Sequence, residues 1–208
     1  MSVFSMFLRG GSLMFVLLLI SIMAVGIIIE KYRQLIRVKK ANQALRSSLQ
    51  QQNSLDEYRS TLDSQGKDSP LGAMLGKLFY SSTRNIDLIN QSMESTANLQ
   101  RHELERGLGW LSTFAAIAPL IGFLGTVLGM VRVFMKIQTH SQTTVDISML
   151  AGGIWEALLT TIGGLVVGIA VIIFYNDLVQ YLENIVKDMQ DSAVEYIIKY
   201  QNLTEKEQ

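Results

Sequence analysis

The chain has 208 residues, 18 Lys+Arg against 18 Asp+Glu, and no Cys. Hydrophobic residues make up 49% and charged residues only 17%, where an ordinary soluble domain carries about 25% charged. That shortfall points to membrane segments. A neutral balance argues against a nucleic-acid binder, which needs a basic face. The missing Cys exclude disulfides, thiolate metal sites and Cys nucleophiles. The two His, His102 and His140, are too few for a His-rich metal centre. No metal and no cofactor is expected.

Charge-free runs mark three spans. Gly10 to Ile29 has no charged residue, nor has Gly107 to Val131; Ile147 to Tyr175 has only Glu156. Each run reaches the roughly 20 apolar residues a bilayer-crossing helix needs. A cleaved signal peptide carries its positive charge before the apolar run. Here only Arg9 precedes the first span, whereas Lys31, Arg33, Arg37, Lys39, Lys40 and Arg46 follow it. The reading is therefore a retained anchor whose C-terminal end faces the cytoplasm. The N-terminus is then outside, 31–106 inside, the 138–146 loop outside and the C-terminus inside. Arg132 and Lys136, at the outer end of span two, oppose this order; their long stems can snorkel to the headgroups.

Span one is apolar all round, as a lipid-facing helix is. Lys31 to Gln52 continues it past the membrane. Residues 64–68 read as a turn, and Ser69-Pro70 as an N-cap followed by Pro at the first helical position. Ser82 or Thr83 is the candidate cap of the next helix. Ile86, Ile89, Met93, Leu104, Leu108 and Leu111 recur at helical spacing, so that helix is expected to run straight into span two. Beyond span three, Leu178, Leu182, Ile185, Met189, Ala193, Tyr196 and Tyr200 form another helical stripe. The fold class is all-α, with three membrane helices and spans two and three extended into the cytoplasm as long helices. The expected divisions are 1–30, 31–106, 107–178 and 179–208.

In span two, Ala115, Ala118, Gly122, Gly125, Thr126 and Gly129 fall within a stripe about 100° wide. In span three, Gly153, Ala157, Thr160, Thr161, Gly164 and Gly168 do the same. Small residues let helix backbones approach in lipid, and Thr hydroxyls bond across. These faces serve either contact within the chain or self-association into a ring. Pro119 is expected to kink or loosen span two. Trp110 and Trp155 read as interfacial or packing aromatics.

Glu156 lies roughly 13 Å along span three at 1.5 Å per residue. A carboxylate there costs on the order of 3 kcal/mol on insertion scales, and such a residue marks an ion route by default. The bland alternative is a carboxylate near the start of a helix, favoured by the dipole. Thr126, Thr160 and Thr161 are polar groups at comparable depth. Together with Glu156 they can line a wetted path.

The segments APLIGFLGTVLGM (118–130) and GGIWEALLTTIGGLVVGIAVIIFYN (152–176) resemble the ExbB/TolQ/MotA proton-channel family. The carriers are Gly125-Thr126-Val127-x-Gly129, Glu156-Ala-Leu-x-x-Thr161, Gly163-Gly164-Leu165 and Tyr175-Asn176. Three spans with a large polar segment between the first two fit the ExbB/TolQ branch. The resemblance implies a subunit of a bacterial inner-membrane stator, N-terminus periplasmic and C-terminus cytoplasmic. It implies a homo-oligomer, pentameric in the ExbB branch, around single-span partners of the ExbD or TolR type, acting with a TonB- or TolA-type protein. Proton flow would energise uptake across the outer membrane, or envelope maintenance in the TolQ case. The pore positions carry over to Thr126, Glu156 and Thr161, and the proton-carrying Asp is expected on the partner. Many relatives have Pro in the third span where this chain has Ala170, so a kink there is not expected. A passive membrane scaffold remains the alternative from another class. A membrane enzyme needs a nucleophile with a base, or a metal site, and no span holds His or Asp.

Overall fold

The computed structural model describes residues 11–81, 85–139 and 147–206. Six helices are found there: α1 Gly11–Leu49, α2 Leu55–Gln65, α3 Pro70–Phe79, α4 Ile86–Glu105, α5 Leu108–Thr139 and α6 Ile147–Lys206. No strand occurs among the described residues. Helices α1, α5 and α6 are each long and apolar enough to cross a membrane. The chain divides into two compact units. One comprises Met1–Ile29 with Gly107–Asp177, the other Glu30–Arg106 with Leu178–Gln208.

The apolar unit holds the three candidate spans. Within it, α1 buries one stripe, Met14, Leu17, Ile20, Ala24 and Ile28. Met14 and Leu17 pack on Ala118, with Ile121 and Val167 alongside. The rest of α1, including Phe15, Leu19, Ile22 and Val25, is exposed. Span one therefore has one packed edge that its uniform apolarity concealed. Only 28–33% of each span's most apolar window is buried inside the chain. The remaining apolar surface has to meet lipid or other membrane helices.

Pro119 sits inside α5 without ending it. A proline lacks the N–H that would bond the carbonyl four residues back, here that of Ala115. Gly168 of α6 lies against both: a Cβ there would fall 2.7 Å from the Pro119 ring and 3.2 Å from Ala115 O. The missing side chain on α6 makes room for the ring on α5. Helix α6 is a single α-helix of 60 residues, uninterrupted at Ala170.

The polar unit is built around the stripe expected on α6. Leu178, Leu182, Ile185, Met189, Ala193 and Tyr196 are all buried, and Tyr200 is half-buried. Tyr58 stacks on Phe79 with centroids 4.9 Å apart, while Tyr196 and Tyr200 meet these rings edge-on. Burial pushes the Tyr196 phenol up to about 12. Ser69 caps α3 as expected, accepting from Gly72 N, and Pro70 follows it. Ser69 Oγ also donates to Asn42 Oδ1 at 2.7 Å, and Leu71 N donates to the same oxygen. One side chain of α1 thus pins the start of α3.

Two expectations fail between α3 and α5. The cap of α4 is Asn85, whose Oδ1 accepts from Asp87 N and Leu88 N; Ser82 and Thr83 lie outside the described residues. Helix α4 does not run straight into span two. It ends at Glu105, Arg106 leaves helical geometry, and Gly107 takes a φ of 95° before α5 begins. Glycine reaches that conformation without steric cost. The apolar spacing carries across the break because Leu104, Leu108 and Leu111 are each buried on their own helix.

Lys31 is buried at 7% exposure, and its ammonium donates to Gln34 Oε1 at 2.7 Å and to Leu104 O at 3.3 Å. A cation suits the carbonyl-rich last turn of a helix, here α4. Desolvation nevertheless holds its pKa below the ordinary lysine value; Glu30 opposes the shift and Arg106 adds to it. A lowered folded-state pKa means the unfolded chain binds the proton more tightly between the two values. Stability should therefore rise with pH as the solution approaches 10.5 from below. Lys31→Met should flatten that rise, measured as the thermal midpoint against pH between 8 and about 10.5. An unchanged slope in Lys31→Met would assign it to other groups.

Candidate functional site

The two small-residue faces meet each other inside one chain. A Cβ on Gly122 would lie 3.1 Å from both Gly164 Cα and Thr161 Cα. One on Gly164 would lie 2.9 Å from Gly122 Cα. Gly125 rests on the Thr160 side chain, Gly129 on Ala157, and Gly153 on Val133. The seam runs from Gly168 opposite Pro119 to Gly153 opposite Val133, and every small residue singled out in the sequence takes part. Contact within the chain is the reading these distances support.

The seam has a polar edge. Thr161 Oγ1 donates to Gly122 O at 2.9 Å and lies 3.4 Å from Thr126 Oγ1. Thr126 in turn donates to Phe123 O of its own helix at 2.6 Å. The bond from Thr161 crosses between helices. It is possible because Gly122 has no side chain to hold α6 away. Both residues are half-buried. Thr160 differs: it is buried, and its hydroxyl donates to Ala157 O of its own helix at 2.7 Å.

Glu156 does not join the Thr126–Thr161 pair directly. Its Oε1 lies 3.5 Å from Arg132 Nη1 of α5. Gly11 of α1 sits against the same carboxylate, so that a Cβ there would collide with Glu156 Oε1. A cavity of about 20 Å³ adjoins the pair, with Gly11, Ser12, Gly129, Arg132, Glu156 and Thr160 in its wall. That is room for one water molecule. All three spans thus contribute to the surroundings of one carboxylate.

Sequence reasoning treated Arg132 as a snorkelling cation and missed the pair. A usable signal existed. Arg132 precedes the end of α5 by seven residues, and Glu156 follows the start of α6 by nine. In consecutive spans, opposite charges at similar distances from the connecting loop reach similar depth. Gly11 had no such signal. Trp110 and Trp155 are substantially exposed, Trp110 beside Phe114. His102 is exposed, and His140 lies outside the described residues.

An all-α chain with three helices long and apolar enough to cross a membrane, two of them joined by a glycine seam beside hydroxyls and an ion pair, defines a multi-pass membrane protein. Residues 43–191 match the family model described as the MotA/TolQ/ExbB proton channel family. The chain belongs to that family. It is similar to the Synechocystis protein named biopolymer transport protein ExbB-like 1, at 33% identity over 83% of this chain and 69% of the relative. It is similar to biopolymer transport protein ExbB of Neisseria meningitidis serogroup A, at 27% identity over 89% of each. A shorter stretch, 42% of this chain and 38% of the relative, is 36% identical to the Tol-Pal system protein TolQ of Haemophilus influenzae. Coverage of other relatives is partial, 62% of an ExbB homologue from Methanothermobacter thermautotrophicus and 37% of ExbB from Salmonella typhimurium.

Two predictions test the seam. Gly164→Leu should force α5 and α6 apart, at a cost of about 1–3 kcal/mol for overpacking. Gly26→Ala, whose new methyl would meet nothing within 4 Å, should not. Thermal unfolding in detergent distinguishes them, and equal midpoints for the two variants would rule out the close approach. Thr161→Val removes the cross-helix hydrogen bond at nearly constant shape. Such bonds contribute about 0.6 kcal/mol on average, so only a small fall in midpoint is expected from the same measurement.

Proposed function

We propose that this chain is the channel-forming subunit of a proton-motive-force-driven stator complex in the bacterial inner membrane. The observation that carries the reading is the Thr161–Thr126 hydroxyl pair on the α5–α6 seam, in a chain of the proton channel family. Polar side chains between apolar helices are costly and mark ion paths. In this reading Thr126 and Thr161 line the path, Thr160 supports it from beneath Gly125, and Glu156 stands near its outer mouth. The N-terminus faces the periplasm, and 31–106 and 179–208 lie in the cytoplasm. Several copies form a ring, pentameric by the family resemblance, with α5 and α6 around the pore and α1 outside. Single-span partners of the ExbD or TolR type occupy the pore and supply the titrating Asp. With the glycine faces packed within each chain, the ring is held by the larger apolar side chains that point outward.

The work driven is uptake across the outer membrane through a TonB-type protein. The long alignments to ExbB-named relatives favour this over envelope maintenance with a TolA-type protein. A passive scaffold would use the hydroxyls for helix contact but would have no use for a carboxylate in its spans.

The test is proton uptake by liposomes containing the chain and its single-span partner. Glu156→Gln keeps shape and hydrogen bonding but cannot titrate. It should assemble normally and lower proton flux by about tenfold or more, because a group that cannot titrate cannot pass a proton on. Full flux in both Glu156→Gln and Thr161→Val, with the partner bound, would remove these residues from the route.

A further inference from the structure

Helix α5 carries a charge at the outer end of its apolar run, and that charge is the counter-ion of Glu156. Arg132 stands well before the end of α5 at Thr139, with Val131, Val133, Phe134 and Met135 around it. A guanidinium bordering an apolar span gains from a partner of opposite charge. Its Nη1 lies 3.5 Å from Glu156 Oε1. The carboxylate is held from another side by Gly11, whose φ of 71° and missing Cβ allow α1 to approach it. The one-water cavity opens beside the two charged groups and reaches Thr160. The carboxylate therefore has an opposite charge on α5 and a close backbone on α1 as neighbours, while both charged side chains stay partly exposed.

We propose that Arg132 is a positioning residue. It holds the Glu156 carboxylate at the one-water cavity, and conduction requires that placement rather than the carboxylate alone. This rests on Glu156 taking part in the proton route, as proposed above. The physical logic is charge neutralisation within one chain. Each copy supplies its own counter-ion, so Glu156 need not borrow a cation from a partner or a neighbouring copy. The contact is a single approach of Nη1 to Oε1, so the role asks for a cation at this place rather than for a bidentate fork.

A double-mutant cycle on the full complex tests this, with proton flux into liposomes as the readout and native mass spectrometry as the control for assembly. Arg132→Gln should lower flux by about tenfold, and adding it to Glu156→Gln should cause no further loss, because residues acting as one unit are non-additive. Full flux in Arg132→Gln, while Glu156→Gln is impaired, would overturn the positioning role and leave the route through Glu156 standing. Multiplied losses in the double variant would also overturn it, since Arg132 would then act apart from the carboxylate. Full flux in Glu156→Gln would remove the underlying reading instead. Should Arg132→Gln fail to assemble, Arg132→Lys carries the test. Flux within about threefold of the unaltered complex supports positioning by charge, and a loss as large as that of Glu156→Gln overturns it.

Discussion

The backbone of α5 touches the backbone of α6 at Gly122 and Gly164, and the polar chemistry of the apolar unit depends on that contact. Lipid offers no hydrophobic drive for one helix to seek another, so close fit and hydrogen bonds must hold them. At Gly122 the absent side chain brings the helices near enough for the Thr161 hydroxyl to reach a carbonyl on the opposite helix. One turn further, Gly125 covers Thr160, and beyond it Gly129 covers Ala157. In the other direction Gly168 admits the ring of Pro119. A larger residue at any of these points would separate the groups on either side of it. The glycines thus set the distances at which the threonines and the ion pair operate.

Charge placement follows a second constraint. A carboxylate or a guanidinium alone in a span is penalised by lost hydration, and the pair relieves each member only if both keep their places. The seam provides that for Arg132 and Glu156, with α1 closing a third side at Gly11. The hydroxyl pair and the ion pair occupy different stations along the seam. Glu156 is thus paired with Arg132 and not with the threonines.

Much of this was legible in residue order. Charge-free runs locate the three spans because a bilayer tolerates few charges, and that rule holds whatever the tertiary packing. Ser69-Pro70 was readable because capping is local chemistry. The α6 stripe was readable because a 3.6-residue apolar period, kept from Leu178 to Tyr200, is the mark of a helix with one packed face. The break at Arg106–Gly107 was not, since apolar spacing continues through it and a positive φ leaves no mark beyond the presence of a glycine. The cap of α4 was displaced to Asn85 for a related reason. Several polar residues in a row can each cap a helix, and the start of the turn decides among them. The partner of each small-residue face was also hidden. Periodicity shows that a face is small and not whether its complement belongs to the same chain. The pairing of Arg132 with Glu156 went unread because the Arg132 charge was weighed for topology alone.

The internal use of the glycine faces constrains how the rest of the surface can work. The outward sides of α5 and α6 carry Leu120, Phe123, Leu124, Ile162, Val166 and Ile169. Large apolar side chains give broad contacts that can shift in register at modest cost, whereas a glycine seam is fixed by backbone-to-backbone approach. The seam keeps Thr161 on Gly122, and the large apolar side chains outside it are the surface left to meet lipid or other membrane helices.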